Sequence, residues 1–491
     1  MREHTINKSI WIANAECPTK AWKAMRQSPK ALTEGDQFRM EQGREIGELA
    51  RELYPDGIMV ASPPGANAAE ETRRLMGQPL ATTLFEATFA YGAYVAKADI
   101  IQRDSDGWHV IEVKSSFADT GSIDSLIDDL SYTVTVGKAA GLTVNRASLL
   151  LLSRTFRFGS PVQNLFEIVD HTQAVEERLA DRPGSFNRVA SQLLASDQPE
   201  PRLVPACRNC QFFDSECLGM NLEHTVLELP RLHHNKLRQL SELGVVALAD
   251  LPSDFEITKT QTRVFECAIA GETYVSEGLT DALAEVEWPA YYLDFETVMT
   301  VLPLYKGFHC HEQVLTQFSV HQCDSPGDVS AHEEYLADPE RDCQREVAER
   351  LIEVLGDRGS IFVYSSFEKT RVNELCRDYP DLERDLKKIT SRFVDLLTIV
   401  SKHAYHPDFK GSFSIKKVLP AFVKDLSYDD IDVRDGDTAV ARFAKMARGE
   451  YTPADSARTQ SELLKYCGLD TLAMVRLHYR LIQLASESGS S

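Results

Sequence analysis

One short apolar run, residues 291–297 with the sequence YYLDFET, constrains the fold of this chain more than any other segment. Its aromatic and aliphatic residues are typical of a strand within a sheet. The strand ends with two carboxylates one residue apart, Asp294 and Glu296. Because side chains alternate across a strand, both carboxylates are expected to project from the same face. Two carboxylates on one face can share a divalent metal ion, so this strand is a candidate metal site.

Two later segments carry acidic residues in a comparable setting. Residues 361–368, IFVYSSFE, are predicted to form a strand that ends in another acidic residue, Glu368. Residues 466–470, YCGLD, open a helical pattern that places Tyr466 and Asp470 one turn apart on one helix face. The apolar residues that define this pattern are Leu463, Leu464, Leu469, Leu472, Val475 and Leu477.

These three segments, in this order, resemble the DEDD exonuclease superfamily, the DnaQ-like branch of the ribonuclease H fold, in its tyrosine-containing subtype. The resemblance covers roughly residues 286–485. It implies four carboxylates that hold two metal ions, which stabilise the attacking and leaving oxygens of phosphodiester hydrolysis. By position it assigns metal binding and catalysis to Asp294, Glu296 and Asp470, and it assigns orientation of the attacking water to Tyr466.

Two residues are candidates for the fourth carboxylate that this resemblance implies. Glu368 stands where the family usually has Asp, and Asp395, in the segment RFVDLL, competes with it. Glu368 ends an apolar strand and begins a helical stretch, which is where the second motif lies in the family, so Glu368 is the expected ligand. Its extra methylene lengthens the reach to the metal by about one carbon–carbon bond, which surrounding groups can absorb.

A second group of carboxylates lies in residues 84–116. Apolar alternation after Glu86 and the turn sequence RDSDG at residues 103–107 predict a hairpin. Asp99 on one strand and Glu112 and Lys114 on the next would then lie at one edge of a sheet. This combination is suited to phosphodiester hydrolysis, because carboxylates bind Mg²⁺ or Mn²⁺ while a lysine stabilises charge or positions the water.

The ten cysteines are expected to be thiols or metal ligands rather than disulfides in a cytosolic chain. Cys17 lies upstream of the hairpin region, and Cys207, Cys210 and Cys217 cluster downstream of it. The other six cysteines are scattered and are expected to be small buried or incidental residues.

The hairpin residues and the four flanking cysteines closely resemble PD-(D/E)xK nucleases of the RecB type, in the subgroup that carries an iron–sulfur cluster. The resemblance implies metal binding by Glu86, Asp99 and Glu112 and a catalytic role for Asp99, Glu112 and Lys114. The four cysteines imply a 4Fe–4S cluster, with a closed four-thiolate zinc site as the alternative. These nucleases usually carry a Gln-x-x-x-Tyr-like motif, which the segment around Tyr132 does not match. This departure from the family pattern predicts either that the DNA strand is positioned differently here or that this centre is weakened.

Two basic stretches are candidate nucleic-acid contacts. Residues 227–252 combine a helix, a glycine turn and a second short helix, which resembles a helix-hairpin-helix element, and a plain helical linker deserves equal weight. Lys236 and Arg238 make this stretch basic. Lys410, Lys416 and Lys417 are interleaved with aromatic residues, which favours either contact with a nucleic-acid strand or a lysine-bearing helix start.

The predicted fold class is α/β, with two or three domains expected for 491 residues. The predicted domains are a restriction-endonuclease-like PD-(D/E)xK iron–sulfur nuclease over residues 1–221, a helical connector over 222–285, a ribonuclease H-like DEDD exonuclease domain over 286–485 and a disordered tail over 486–491. Two local elements near the N-terminus are also predicted. Residues 9–13, SIWIA, are expected to form a strand or short apolar segment, and residues 36–53 an amphipathic helix.

Charge and hydropathy exclude other classes of protein. The formal net charge of −21 argues against a protein that coats nucleic acid irrespective of sequence, although an acidic nuclease with a local basic channel is compatible with it. The sequence has no apolar run of 18 or more residues and no charged-then-apolar leader, which predicts a cytoplasmic location without membrane contact. It also has no Gly-x-x-x-x-Gly-Lys-Ser/Thr loop, so processive action on duplex DNA would require a partner helicase.

The combined architecture resembles a widespread bacterial family of fusion proteins. It predicts a metal-dependent deoxyribonuclease with two catalytic centres, acting on single-stranded or end-containing DNA in repair, recombination or defence. The alternatives are an RNA-directed exonuclease in the C-terminal half and a nucleic-acid-binding module with an inactive centre.

Overall fold

The computed structural model describes residues 5–28, 31–63, 65–180, 184–426 and 431–488. Contacts divide the chain into two compact units, each built around its own main sheet. Unit 1 comprises Met1–Leu218 and Thr300–Glu312, and unit 2 comprises Gly219–Met299 and Gln313–Ser491. Both units combine helices with a sheet, so the α/β class predicted from the sequence is confirmed.

Within its described residues, unit 1 contains these helices: α1 Lys8–Glu16, α2 Pro18–Arg26, α3 Glu34–Arg51, α4 Ala66–Met76, α5 Ile123–Ala139, α6 Thr172–Ala180, α7 Ser185–Leu194 and α8 Phe213–Glu216. Its strands are β1 Ile58–Met59, β2 Thr83–Tyr91, β3 Tyr94–Asp104, β4 Gly107–Phe117, β5 Val144–Leu152 and β6 Phe166–Asp170.

The sheet of unit 1 follows chain order from β1 to β6. Strands β2, β3 and β4 form an antiparallel meander, and the pairing of Asp104 with Gly107 confirms the predicted hairpin. Strand β5 runs parallel to β4, so the chain must cross over between them, and α5 makes that crossover. The amphipathic helix predicted for residues 36–53 is α3, which buries Phe38, Ile46 and Ala50.

The N-terminal segment differs from its prediction, because residues 9–13 lie in helix α1 rather than in a strand. The Asn7 side chain caps this helix by accepting a hydrogen bond from the Ile10 amide at 3.0 Å. Ile10 is buried, and Trp11 packs against Tyr94 and Tyr132. A short apolar run does not by itself distinguish a strand from a buried helix turn, and here packing decided.

Within its described residues, unit 2 contains these helices: α9 His234–Glu242, α10 Lys259–Ala270, α11 Leu279–Ala284, α12 Gln344–Leu355, α13 Phe367–Asp378, α14 Glu383–Ser391, α15 Leu396–His403, α16 Ile415–Phe422, α17 Gly436–Ala447 and α18 Pro453–Ser488. Its strands are β7 Tyr274–Val275, β8 Ala290–Met299, β9 Gln313–Ser325, β10 Asp328–Leu336, β11 Ile361–Val363, β12 Phe393–Asp395 and β13 Ala404–Tyr405.

The main sheet of unit 2 has the strand order β10-β9-β8-β11-β12, with β8 in the centre. Strands β8, β9 and β10 form an antiparallel meander, whereas β11 and β12 run parallel to β8. Strands β7 and β13 form a separate two-stranded sheet. Helix α18 packs on the main sheet, and its residues Val475, Leu477 and Leu481 are fully buried in the core of unit 2.

The unit boundaries can be compared with those expected from the sequence. Residues 222–285, the predicted connector, lie in unit 2, where Val264 and Leu279 join the same hydrophobic core as Tyr292. Thr300–Glu312 lie in unit 1, although the sequence-based boundaries include them in the C-terminal domain. Within unit 1, Val301 of this segment packs in a cluster with Ile46.

The C-terminal tail was predicted to be disordered from residue 486. Residues 486–488 instead continue helix α18 to its end, and residues 489–491 lie outside the described residues. Among the helices that the structure describes, none combines the length and apolar character needed to span a bilayer.

Candidate metal centres

A cluster of carboxylates in unit 2 joins the first and last predicted motifs. Asp294 and Glu296 belong to β8, and Asp470 belongs to α18. One carboxylate oxygen from each residue lies within 4.8 Å of those of the other two. Three carboxylate oxygens at this spacing can bind one hard divalent cation.

Buried hydrogen bonds determine how α18 lies on the sheet. Gln317 of β9 donates from Nε2 to the carbonyl oxygen of Leu463 at 2.8 Å. The Thr471 hydroxyl lies 2.8 Å from Ser319 Oγ and 2.8 Å from His321 Nδ1. These four polar side chains are buried, where leaving one unpaired costs free energy, so the contacts favour a single register of α18 on β9.

That register places the last motif beside the first. Ser319 lies directly opposite Asp294 in the β8–β9 pair, and Ser319 also contacts Thr471. Asp470, the neighbour of Thr471, is thereby brought to β8. Gly468 permits the close approach of the helix, because a Cβ atom at this position would lie 3.3 Å from a histidine ring carbon of β10.

Burial and mutual repulsion both oppose ionisation of this cluster. Burial, followed by Asp470 and Glu296, raises the pKa of Asp294 well above its ordinary value. Burial and Asp470 raise the pKa of Glu296 to about 8, against the opposing effect of Lys416. A bound cation would favour the ionised form of all these carboxylates.

Glu368 lies in the first turn of α13 and is 3% exposed. Its Oε2 atom is buried and has no hydrogen-bond partner among the described residues. Burial raises the pKa of Glu368 to about 7. The negative charge of Glu368 in turn helps to raise the pKa of Asp294 and of Glu296. The turn before α13 is strained, since Ser365 has φ +135°, a conformation that non-glycine residues rarely adopt.

Asp395, the competing residue for the second motif, has a different set of partners. It ends β12 and is the N-cap of α15. Its carboxylate accepts hydrogen bonds from the Thr398 amide at 3.2 Å and from the Thr398 hydroxyl at 2.7 Å. The carboxylate of Asp395 is therefore engaged in capping α15. The Oε2 atom of Glu368 has no comparable hydrogen bond among the described residues.

Tyr466 lies one turn before Asp470 on α18. Lys416 donates from Nζ to Tyr466 Oη at 3.3 Å, and the ammonium lies 5.4 Å from the centre of the tyrosine ring. The sequence predicted Lys416 as a nucleic-acid contact, and the structure places it beside the carboxylate cluster. Cys467, expected to be a small buried or incidental residue, is buried, and its Sγ lies 3.7 Å from Asp294 Oδ2.

The second carboxylate centre lies in unit 1 at the predicted hairpin. The Val113 amide donates to Asp99 Oδ2 at 2.8 Å. Lys114 Nζ donates to Glu112 Oε1 at 3.3 Å and to Asp129 Oδ2 at 2.7 Å. Burial, followed by Glu112, raises the pKa of Asp99 to about 7.

Two charged residues of this centre, Lys8 and Asp129, are not among those predicted from the sequence. Lys8 of α1 donates from Nζ to Glu112 Oε1, across 104 residues of chain. Burial opposes the charge of Glu112, but Lys8 and Lys114 outweigh burial and hold the pKa of Glu112 below its ordinary value. Burial likewise acts to lower the pKa of Lys114. The negative charges of Glu112 and Asp129 outweigh burial, so the pKa of Lys114 is raised. Nothing in the local sequence around Lys8 signals this contact.

Glu86 has partners other than Glu112 and Lys114. It contacts Lys97 Nζ and lies 3.9 Å from Arg51 Nη1. Glu86 and Asp99 line one pocket with a volume of about 560 Å³, in which α3 also takes part. The backbone of Glu86 has φ +58°, which is uncommon for a non-glycine residue inside a strand.

The segment around Tyr132, where the Gln-x-x-x-Tyr-like motif was sought, has a structural role. The buried Tyr132 hydroxyl lies 2.7 Å from the carbonyl oxygen of Ile6 and 3.0 Å from that of Val95. This hydroxyl is thus engaged inside unit 1 rather than directed at a ligand. The polar residue of α5 that reaches the carboxylate centre is Asp129.

The four cysteines singled out from the sequence line one small pocket of unit 1, although Cys17 is far from the others in sequence. Three cationic side chains, Lys20, Lys23 and Arg202, line the same pocket. Burial raises the pKa of the Cys207 thiol to about 11, and the three neighbouring cysteines add to the rise. Four converging thiols with cations beside them fit a four-thiolate metal group, since binding would release their protons.

The basic residues predicted to contact nucleic acid are mostly held by nearby groups. Lys236 donates to the carbonyl oxygen of Glu256, and Arg238 Nε lies 3.9 Å from Glu242 Oε1. The second helix of the predicted helix-hairpin-helix element is a single 3₁₀ turn, Leu248–Asp250.

In the other basic stretch, Lys410 donates from Nζ to the carbonyl oxygen of Glu223 at 2.5 Å. Lys417 lies exposed on α16, which begins at Ile415. The lysine-bearing helix start considered for this stretch is therefore present.

Comparison with known proteins finds similarity without a named activity. Residues 291–414 match a family described as a domain of unknown function, DUF2779. The matched segment contains Asp294, Glu296 and Glu368 and ends before Tyr466 and Asp470. The chain is also 24% identical over 236 residues to an uncharacterized protein, UU173, of Ureaplasma parvum serovar 3. That match covers 44% of this chain and 34% of the relative, so it spans about a third of the relative's length.

Proposed function

We propose that this protein is a metal-dependent nuclease that hydrolyses phosphodiester bonds of DNA, with one catalytic centre in each unit. The observation that carries the proposal is the convergence of Asp294, Glu296 and Asp470 to within 4.8 Å on buried elements that are far apart in sequence. Burying several carboxylates together opposes folding unless they hold cations or protons. Single-stranded or end-containing DNA is the proposed substrate.

We also propose a ribonuclease H-like fold for unit 2 and a restriction-endonuclease-like fold for unit 1. A ribonuclease H-like fold for unit 2 is supported by its central carboxylate strand β8, with an antiparallel meander on one side and parallel strands on the other. A restriction-endonuclease-like fold for unit 1 is supported by the order α3, β1, α4, β2, β3, β4, α5, β5, in which the carboxylates lie on the antiparallel meander of β2, β3 and β4.

In unit 2, Asp294, Glu296, Asp470 and Glu368 would hold Mg²⁺ or Mn²⁺. When bound, these ions supply charge stabilisation at the attacking and leaving oxygens. The Tyr466 hydroxyl accepts a hydrogen bond from Lys416 and lies one helical turn from Asp470. Tyr466 would orient the attacking water.

In unit 1, Asp99 and Glu112 would hold the divalent ion. The Lys114 ammonium, whose raised pKa keeps it charged, would stabilise negative charge that develops on the phosphate. Arg51 and Lys97 line the pocket that contains Asp99 and are suited to contacts with a phosphate backbone.

We further propose that Cys17, Cys207, Cys210 and Cys217 hold a 4Fe–4S cluster that links the two ends of the first segment of unit 1. Anaerobically purified protein should be brown, with iron and sulfide in near-equal amounts. Cys17→Ser should lose most of both, whereas Cys376→Ser, which changes a buried cysteine of unit 2, should retain them. Stoichiometric zinc without sulfide would overturn the cluster and favour the zinc alternative.

The nuclease proposal is tested by incubating the full-length protein, purified anaerobically, with Mg²⁺ or Mn²⁺ and end-labelled single-stranded DNA, duplex DNA and RNA. Asp294→Asn should remove one set of products and Lys114→Ala the other, because each centre has its own carboxylates. Asp395→Asn is the matched control, since it neutralises a helix-capping carboxylate of the same unit.

The outcomes of this assay separate the alternatives. Cleavage of RNA that only Asp294→Asn removes would favour the RNA-directed exonuclease. Metal-dependent cleavage that survives in the Asp294→Asn, Lys114→Ala double variant, or no cleavage of any substrate, would overturn the proposal. Binding of nucleic acid without cleavage would favour the binding module.

A further inference from the structure

Lys8 brings to the unit 1 centre a second ammonium that the proposed reaction does not use. The Oε1 atom of Glu112 accepts hydrogen bonds from both Lys8 and Lys114. The Oε2 atom of Glu112 is buried and has no hydrogen-bond partner among the described residues. One oxygen of this carboxylate is therefore occupied by two cationic side chains, while the other remains available to a ligand.

Lys8 is held in place by the backbone just before it. The Ile6 amide donates to the carbonyl oxygen of Ala93 at 2.8 Å, and the Val95 amide donates to the carbonyl oxygen of Ile6 at 3.0 Å. Ile6 is fully buried, and Tyr132 also contacts its carbonyl oxygen. Because residue 6 is fixed and α1 begins at Lys8, the lysine starts from a defined point of unit 1.

The charges around Glu112 are nearly balanced without a metal ion. The side chains joined by contacts or direct electrostatic influence are three carboxylates, Asp99, Glu112 and Asp129, and two ammoniums, Lys8 and Lys114. With all three carboxylates ionised, as they would be when they bind a cation, three negative charges against two positive charges leave one net negative charge. Without Lys8 the same group would carry two.

The centre of unit 2 has the opposite balance. Its four carboxylates, Asp294, Glu296, Glu368 and Asp470, face the single ammonium of Lys416 among the groups that act most strongly on Asp294 and Glu296. With all four carboxylates ionised, three net negative charges remain, and two divalent ions would exceed them by one positive charge. Two such ions in unit 1 would add four positive charges to one net negative charge and leave three positive charges in excess. Repulsion between the cations therefore opposes binding of a second ion in unit 1.

We propose that the Lys8 ammonium takes the place of a second divalent cation in unit 1, so that this centre binds one Mg²⁺ or Mn²⁺ ion where the centre of unit 2 binds two. The inference rests on the proposed nuclease function of unit 1 and defines the metal requirement of that centre. Asp99 and the unpaired Oε2 atom of Glu112 would bind the single ion. Lys8 is a positioning residue that contacts Oε1 of Glu112.

The number of bound Mn²⁺ ions tests this proposal. The full-length protein carrying Asp294→Asn and Glu296→Gln, which disable unit 2, is titrated with Mn²⁺, and free Mn²⁺ is followed by electron paramagnetic resonance. One Mn²⁺ per chain is expected. Adding Lys8→Met should raise the count to two, and the two ions should show the spectral broadening of a close, magnetically interacting pair.

Two further variants separate charge from folding. Lys8→Arg keeps the positive charge and should remain at one Mn²⁺, whereas Lys8→Gln should behave like Lys8→Met. Circular dichroism and thermal unfolding identify any variant that fails to fold, and the second neutral variant then provides the test. In a chain with intact unit 2 and with Asp99→Asn and Glu112→Gln, two Mn²⁺ ions are expected.

Several results would overturn the inference: a count of zero or two before Lys8 is changed, a count of one in both neutral variants, or a count of two in Lys8→Arg. Cleavage of single-stranded DNA is measured on the same samples. One bound Mn²⁺ that doubles in Lys8→Met without any cleavage would reject the proposed function of unit 1 and leave the inference standing. Cleavage by protein whose Mn²⁺ count stays at one in both neutral variants would reject the inference and leave the proposed function of unit 1 standing.

Discussion

The two carboxylate centres differ in how their negative charge is balanced. In unit 1, Glu112 contacts two lysines and its pKa is held below its ordinary value. In unit 2, Glu296 is surrounded by other carboxylates, and burial with Asp470 raises its pKa to about 8. Both residues are largely buried, so the difference comes from the partners that each receives rather than from exposure.

The comparison predicts that the two acidic motifs differ in their dependence on metal ions. A buried carboxylate is ionised only if a positive charge offsets its lost hydration. In unit 1 this charge comes from lysines that are part of the chain, so the centre is formed before any metal binds. In unit 2 most of it would come from the proposed cations, so stability and metal binding are expected to be tightly linked there.

The largest expected effect concerns the fourth carboxylate of unit 2. In a chain with Lys114→Ala, Glu368→Gln should lower the single-turnover rate of cleavage by roughly two or more orders of magnitude, because it removes a metal-ligand charge while keeping the shape. Asp395→Asn should cost far less, since asparagine also caps helices well. An inactive Asp395→Asn protein beside an active Glu368→Gln protein would exchange the two assignments.

A smaller loss is expected when the hydroxyl of Tyr466, which we propose to orient the attacking water, is removed. Tyr466→Phe should lower kcat by roughly tenfold to a hundredfold with little change in KM, because the carboxylates remain and only the orientation of water is lost. Tyr479→Phe is the matched control, since Tyr479 lies on the same helix but is 39% exposed. Equal rates for Tyr466→Phe and Tyr479→Phe would remove Tyr466 from the mechanism.

The charge comparison also predicts how pH affects the metal-free protein. Raised pKa values of Glu368 and Glu296, about 7 and about 8, mean that the folded unit holds protons that the unfolded chain releases. Their stabilising contribution is complete below the ordinary carboxylate pKa and is lost as the pH rises through 7 and 8. With a chelator present, the unfolding midpoint of unit 2 should fall by several degrees between pH 6 and pH 8.5.

Divalent ions and one variant provide the controls for this experiment. Mg²⁺ or Mn²⁺ should restore the midpoint, more strongly at pH 8.5 than at pH 6, and Glu296→Gln should flatten the pH dependence. In unit 1 the lowered pKa of Glu112 has the opposite sign, since its contribution is present above the ordinary pKa and lost as the pH falls. A midpoint of unit 2 that rises with pH in the chelated protein would refute the assigned pKa directions.

The smallest effect should come from the hydrogen bonds that position α18. Thr471→Val removes the hydroxyl that contacts Ser319 and His321, and leaving those buried groups unpaired should cost roughly 1–3 kcal/mol of unit 2 stability. The transition of unit 1 should not move. Thr262→Val, which removes an exposed hydroxyl of α10, should leave both transitions unchanged. A change confined to unit 1 would contradict this account of the last motif.

Local patterns in the sequence were sufficient for several elements. The hairpin of β3 and β4, the amphipathic helix α3 and the helical placement of Tyr466 and Asp470 follow from periodicity and turn chemistry, and the structure has each of them. Periodicity was insufficient for residues 9–13, where five apolar or small residues suit either a strand or a helix. The connector was likewise predicted to be helical, yet its second helix is a single 3₁₀ turn.

By itself, the sequence determined which residue types are available and which neighbours in the chain share a face, as with Asp294 and Glu296 on one strand. Only the tertiary structure decided which distant groups meet. It placed Lys8 on Glu112 across 104 residues and directed the ammonium of Lys410 to the carbonyl oxygen of Glu223 across 187 residues. The physical reason is that backbone geometry acts over a few residues, whereas charge balance in a buried site depends on packing between elements that no local pattern encodes.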